Sequence, residues 1–86
     1  MAPIIAGASS ALGAGDLDVL KTISAPGVLA GAVVVAGVQA STGEDIFGIG
    51  VETVGAARDG EFDVFAHSVL GGQDTQWQVV YIAVNP

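Results

Sequence analysis

Alternating apolar and polar positions in the last third of the chain predict two β-strands. The first covers Glu61–Leu70 and the second covers Gln76–Val84, with Gly71–Thr75 as the turn between them. Alternate residues of a strand share one face, so the second strand has one face that carries large apolar side chains: Trp77, Val79, Tyr81 and Ala83. We therefore predict a terminal hairpin that is solvated at its acidic start and buried toward its end.

A valine-rich run in the middle of the chain, Val28–Ala40, predicts a further strand. Its three successive β-branched residues, Val33 to Val35, pack well on a pleated sheet and poorly on a helix. The run is apolar on both faces, so we expect a second sheet or a neighbouring subunit to cover both. Proline and glycine in Ser24–Gly27 mark the preceding turn, and Ser41–Asp45 marks the following one.

Two more segments complete the predicted elements. Ile46–Val54 is a glycine-punctuated strand, and the Asp59-Gly60 pair after it is the strongest hairpin signal in the chain. Asp16–Ile23 fits either one helical turn capped by Asp16 or a short strand, and its pattern does not decide between them.

The first fifteen residues have no helical or strand period. They are mostly Ala, Gly and Ser, interrupted by Pro3, Gly7 and Gly13. We predict an extended arm over residues 1–15 that docks on a neighbour, and a single β domain over residues 16–86. Four or five strands with short turns make the fold class all-β, a small antiparallel β-sandwich or barrel.

Size and charge limit the partners. The chain has 86 residues, 13 of them Gly, and no Cys, so a thin core without disulfides favours oligomerisation or docking on a larger assembly. A net charge of −7 with only two basic side chains argues against nucleic acid and anionic membranes as partners. Val28–Val38 is uninterrupted and apolar, but its eleven residues fall short of the roughly 20 that span a bilayer.

Candidate catalytic and metal-binding chemistry is sparse. His67 is the only imidazole, and Ser68 beside it would point to the opposite sheet face, so we predict a half-exposed strand histidine and no catalytic triad. Asp59, Glu61 and Asp63 would share one face but do not follow a calcium-loop spacing, so we interpret them as solvated carboxylates. No cofactor or metal site is predicted, and the chain is not expected to be an enzyme.

The aromatic residues Trp77 and Tyr81 lie four apart on one strand. As buried residues they would be the largest parts of the core or of a subunit interface, and as exposed residues they could stack on sugars. The first interpretation is preferred. Together with aliphatic residues of the arm and the valine-rich run, the predicted interface is Ile4, Ile5, Leu12, Val33, Val35, Trp77, Val79, Tyr81 and Ile82.

An Ala/Gly-rich opening, a valine-rich strand, an acidic Gly-turned hairpin and the closing strand WQVVYIAV resemble small virion structural proteins of tailed bacteriophages. These include capsid decoration (cement) proteins and β-modules of head or tail fibres. The resemblance implies a role in the virion, bound outside a shell, often as a trimer, where it reinforces joints between capsid subunits. It brings no functional residues with it, since no signature motif is present.

Two function classes follow. The leading hypothesis is a virion decoration protein, made in the host cytoplasm, that forms a homo-oligomer with a trimer favoured. It docks on a larger protein such as a major capsid protein and stabilises the shell through many weak contacts. The alternative is a carbohydrate-binding, lectin-like module, which needs Trp77 and Tyr81 exposed and acidic turns that could hold calcium.

Overall fold

A computed structural model describes residues 3–41, 48–69 and 76–86. The described residues form six β-strands and a single 3₁₀ turn at Ala14–Asp16, which confirms the all-β fold class. The strands are β1 Ile4–Ala8, β2 Leu20–Ser24, β3 Val33–Ala40, β4 Ile49–Val54, β5 Glu61–Ser68 and β6 Trp77–Val84.

The strands form two three-stranded antiparallel sheets. Sheet A has the order β1-β6-β3, and sheet B has the order β2-β5-β4. The central strands β5 and β6 are those with the clearest alternation, and each buries every second side chain. A central strand has a neighbour on both sides, so its apolar face lies at the middle of the core.

The predicted pairing of the two terminal strands is wrong. Both strands exist, but β5 pairs with β2 and β4, whereas β6 pairs with β1 and β3. Separate sheets let the two apolar faces oppose each other across the core, and Phe62 of β5 meets Tyr81 of β6 edge to face with 5.1 Å between ring centroids. The predicted turn at Gly71–Thr75 lies outside the described residues.

The hairpin predicted at Asp59-Gly60 is confirmed, and it joins β4 to β5. Arg58 and Glu61 form a β-bridge on either side of the two-residue turn, with the Arg58 N–H donating to the Glu61 carbonyl at 2.9 Å. Gly60 has a φ of +80°, in the left-handed region that glycine adopts without steric cost. The predicted start of the preceding strand, Ile46, lies outside the described residues.

The valine-rich strand is shorter than predicted, because β3 begins only at Val33. Gly27 and Gly31 have φ values of +89° and +86°, so the chain turns twice before the strand. The sequence does not indicate these turns, because their residues are apolar and Val28 is buried as a strand residue would be. Asn85 holds the loop in place: its Oδ1 accepts from the Leu29 N–H, and its Nδ2 donates to the Gly27 carbonyl, each at 3.0 Å.

The predicted N-terminal arm is not confirmed. Ile4–Ala8 is strand β1, fully paired with β6, and Leu12 bridges to Trp77 beyond it. Ile4–Ala8 therefore belongs to sheet A, and Leu12 is joined to the sheet by its bridge. Of the two interpretations of Asp16–Ile23, the strand is correct from Leu20 onward. The helical turn capped by Asp16 is wrong, because the 3₁₀ turn Ala14–Asp16 ends at this residue and does not begin there.

One hydrophobic core lies between the inner faces of the two sheets. Sheet A contributes the inner residues of β6, and sheet B contributes those of β5. The core consists of Leu17, Ile23, Ala25, Val28, Ala57, Phe62, Val64, Ala66, Trp77, Val79, Tyr81 and Ala83. The arrangement is sandwich-like, with each sheet covered on one side by the other.

Candidate protein-binding surface

The side of sheet A that faces away from the core is the candidate functional surface, and we call it the outer face of sheet A. It is formed by the residues of β1, β6 and β3 that alternate with the core-facing ones, because successive side chains of a strand point to opposite sides. Its members are Ile4, Ala6, Ala8, Val80, Ile82, Val84, Val33, Val35 and Gly37.

This face exposes several branched aliphatic side chains. The exposed fraction is 70% for Val35, 68% for both Ile4 and Val33, and 54% for Ile82. Single exposed aliphatic residues are common on proteins, whereas a contiguous apolar patch marks an interaction site. The register shows that these residues are neighbours on three adjacent strands, so they form one patch.

Strand register orders the face into three rows. The bulky row is Ile4, Val84 and Val33; the middle row is Ala6, Ile82 and Val35; the shallow row is Ala8, Val80 and Gly37. The summed side-chain volume of a row therefore falls from the bulky row to the shallow row, mainly because the residues on β1 and β3 become smaller. A depression of about 470 Å³ lies over the middle and shallow rows, and its lining includes Ala6, Gly37 and Val80.

Beyond the shallow row the face becomes polar without becoming charged. Gln39 and Gln78 lie opposite each other there, and the Gln78 amide donates to the Gln39 side-chain oxygen at 3.1 Å. Among the described residues, no Asp, Glu, Lys, Arg or His occupies a paired strand position on this face. The outer face of sheet A is thus an uncharged apolar patch with an amide pair at one end.

The outer face of sheet B has the opposite character. The outward residues of β5 are Glu61, Asp63, Phe65 and His67. Leu20 of β2, paired with Phe65, is 67% exposed and is a large aliphatic residue on this second face. The two sides of the molecule therefore differ: one is apolar and the other is polar and mainly acidic.

An ion-pair cluster explains the carboxylates predicted near the hairpin. Arg58 donates to Glu61 at 2.8 Å and to both carboxylate oxygens of Asp63 at 2.9 and 3.0 Å, and Thr22 donates to Asp63 at 2.7 Å. These hydrogen bonds, first those from Arg58, lower the pKa of Asp63 to about 2. Glu61 and Asp63 therefore bind Arg58, whereas Asp59 accepts from the Ala30 N–H at 2.9 Å. No group of three metal-binding side chains occurs in the described part of the chain.

This cluster predicts an acid-sensitive contribution to stability. Because the folded-state pKa of Asp63 is about 2 and the unfolded value is roughly 4, the contribution is present above about pH 4 and is lost as the pH falls through about 2. Asp63→Asn should therefore lower the melting temperature relative to wild type at pH 6 to 7, with the difference shrinking between roughly pH 4 and 2. Thermal unfolding across this range checks it; a difference that stays constant down to pH 2 would contradict it.

His67 is a half-exposed strand histidine, as predicted, and it contacts Asp18, which lies in the turn before β2. Its Nδ1 lies 2.6 Å from Oδ1 of Asp18, and this hydrogen bond raises the pKa of His67. Asp18 adopts a φ of +58°, a conformation that Asp tolerates better than most residues. Ser68 is buried on the opposite face of β5. The His67 pair therefore has the geometry of a surface ion pair.

The predicted interface residues divide into three groups. Ile4, Val33, Val35 and Ile82 lie together on the outer face of sheet A. Ile5 and Leu12 pack against the core, and the remaining three, Trp77, Val79 and Tyr81, are inside it. The interface itself stays a prediction. Of its predicted residues, only the four on the outer face of sheet A are exposed enough to contact a partner.

Five members of this face are absent from the interface predicted from the sequence: Ala6, Ala8, Gly37, Val80 and Val84. Val80 and Val84 carry a readable signal, because they are apolar residues that alternate with the buried residues of β6. The small residues have no such signal, since only the register with β6 shows that they continue the patch.

The aromatic residues do not support the carbohydrate-binding alternative. Trp77 is fully buried, with its indole Nε1 donating to the Gly13 carbonyl at 3.1 Å, and Tyr81 is 6% exposed. Their exposure, which stacking on a sugar requires, is contradicted. The physical reason is that both belong to the inner face of a central strand.

Comparison with known proteins identifies no relative. No protein-family model, curated protein or solved structure matches the chain significantly. Within the described ranges, no helix is long and apolar enough to cross a membrane.

Proposed function

We propose that this chain is a structural subunit of a larger protein assembly, in which the outer face of sheet A makes a protein–protein contact. The observation that carries the proposal is the uncharged patch centred on Ile82, with Val33 and Val35 more exposed still. Removing apolar surface from water contributes about 25 cal/mol per Å². A patch of this kind is a source of binding free energy that the isolated chain leaves unused.

The particular assembly that we propose is the capsid of a tailed bacteriophage, with the chain as a decoration protein on the outside of the shell. The sequence resemblance suggests this role, and a small β-sandwich with one acidic side suits it. In that arrangement the outer face of sheet B, with Glu61 and Asp63, faces solvent and keeps the particle soluble. Many copies on one shell convert weak single contacts into a strong collective one.

The test is to locate the chain in cells that express it from its native gene. A lysate is separated on a density gradient, and the chain is quantified in each fraction by mass spectrometry. We expect it at many copies in a fraction of very large particles, together with a more abundant shell protein.

Two outcomes would contradict the proposal. One is recovery of the chain only in light fractions throughout particle production. The other is recovery with particles at only one or a few copies each, since stabilisation of a shell through many weak contacts requires many copies. A small acidic host protein quantified in the same gradients is the control for trapping in the particle fraction.

A further inference from the structure

We propose that the outer face of sheet A packs against the same face of a second copy of this chain. This inference rests on the proposed function, because it names the partner in the contact assigned there. The two copies are related by a twofold axis that lies in the interface plane. This axis runs roughly perpendicular to the strands and passes through the middle row, at the level of Ile82. Contacts with other proteins of the assembly are then left to the remaining surfaces.

The shape of the face favours this arrangement. A twofold axis across the strands reverses the strand direction of the second copy, so its shallow row lies over the bulky row of the first. Ile4 then faces Ala8 of the other copy, and Val33 faces Gly37. On β1 and β3 large side chains thus meet small ones, which suits an interface between identical faces. On β6 Val84 faces Val80, and Ile82 faces the Ile82 of the other copy at the axis.

The charge distribution favours a second copy as well. Each chain carries a net charge of −7, so most relative orientations of two copies bring carboxylates toward one another. The outer face of sheet A has no charged strand position among the described residues, and the Gln39–Gln78 pair at its end is neutral. Two acidic copies can therefore approach through this face without placing like charges in contact.

The area of the face is sufficient for a specific dimer. The five most prominent residues are between 39% and 70% exposed: Ile4, Val33, Val35, Ile82 and Val84. Together they expose on the order of 500 Å² of apolar surface per copy, so that two faces supply about 1,000 Å², the lower limit of a specific interface. Ala6, Ala8 and Val80 add to this value. Sheets packed face to face in this way lie about 10 Å apart, with their strands about 30° from alignment.

The first experiment measures the mass of the purified full-length chain by sedimentation equilibrium over a range of concentrations. We expect a monomer–dimer equilibrium for the wild type. Ile82→Lys should raise the dimer dissociation constant by roughly 100-fold or more, because two unpaired ammonium groups would be buried at the axis. Leu20→Lys is the matched control, since Leu20 is at least as exposed on the outer face of sheet B and should leave the dimer unchanged.

A second experiment tests the axis itself. The chain contains no Cys, so a single introduced thiol reports only on its own surroundings. A short bismaleimide should link Ile82→Cys into covalent dimers with high yield at dilute concentration, because the two thiols lie opposite each other at the axis. Leu20→Cys should remain uncrosslinked under the same conditions. Far-ultraviolet circular dichroism confirms that each variant keeps its strands.

The outcomes separate this inference from the proposed function. A wild-type chain that stays monomeric at high concentration overturns the inference, as does a trimer, which would favour the threefold oligomer predicted from the sequence. Equal crosslinking at positions 20 and 82 also overturns it. If any of these is found while the chain still sediments with large particles, the proposed function stands alone. A dimer that never joins particles supports the inference and contradicts the proposed function.

Discussion

Replacing Phe62 with alanine is expected to lower the free energy of unfolding by about 3–5 kcal/mol. Phe62 is completely buried, and its ring meets Tyr81 edge to face at an interplanar angle of 74°. Truncation removes apolar burial, leaves a cavity between the sheets and abolishes the aromatic contact. A domain of this size has a total stability of about 5–15 kcal/mol, so the loss would be a large part of the whole.

Phe65→Ala provides a matched control for this result. Phe65 is the same residue type on the same strand, but it lies on the outer face of sheet B and is only partly buried. Its truncation should cost about 1 kcal/mol. Urea unfolding at one fixed protein concentration measures both values, and the fluorescence of Trp77, the single tryptophan, follows the core directly. Equal losses for the two variants would contradict the assignment of the β5 faces.

The strands were largely predictable from the sequence because their information is local. Alternation in β5 and β6 arises from one buried face and one outer face, and the Asp59-Gly60 turn needs only the positive φ of its glycine. The all-β class follows from such local signals. In Val28–Ala32 the turn residues are as apolar as the strand residues that follow, so the sequence does not show where the turn ends. The strand predicted from Val28 is therefore longer than β3, which begins at Val33.

Strand pairing was not predictable in the same way, because it depends on which faces meet across the core. Consecutive strands usually pair, so β5 and β6 were expected to form a hairpin. Their apolar faces instead oppose each other from two sheets, and this gives the core Phe62 and Tyr81 in contact. Trp77 shows the consequence for function: the sequence identifies it as important but cannot say whether its face meets this chain or a partner.

The candidate site was partly predictable for the same reason. Ile4, Val33, Val35 and Ile82 are large enough to be recognised as apolar residues in need of cover. Their meeting on one face depends on β1 and β3 flanking β6, a long-range arrangement that no short motif encodes. Ile4–Ala8 illustrates this best, because a segment without periodicity becomes an edge strand when it forms hydrogen bonds with β6.

Gly7→Ala is expected to destabilise the fold by about 1–3 kcal/mol, the usual cost of overpacking. Gly7 lies directly opposite Tyr81, and a Cβ added there would be 2.5 Å from the tyrosine hydroxyl oxygen and 2.7 Å from Cζ. The ring cannot withdraw freely, because it is 6% exposed and packs against Phe62. Either β1 separates from β6, or the ring leaves its place in the core.

Gly50→Ala is the control that isolates this close approach. Gly50 is also a strand glycine without a positive φ, but no atom lies within 4 Å of its added Cβ. Alanine there should be neutral or should stabilise the fold by up to about 1 kcal/mol, because it reduces the backbone freedom of the unfolded chain. Similar urea midpoints for both alanine variants would show that Tyr81 does not need the glycine.

A double-mutant cycle then assigns the cause to the ring. Tyr81→Leu alone is destabilising, because it truncates a core residue. If the clash explains the loss in Gly7→Ala, adding that substitution to Tyr81→Leu should cost much less than adding it to wild type, with a coupling free energy of about 1 kcal/mol or more. Additive losses would mean that Gly7 is required for the β1 backbone and not for the ring. Because β1 supplies Ile4, Ala6 and Ala8 to the outer face of sheet A, loosening this contact should also weaken self-association.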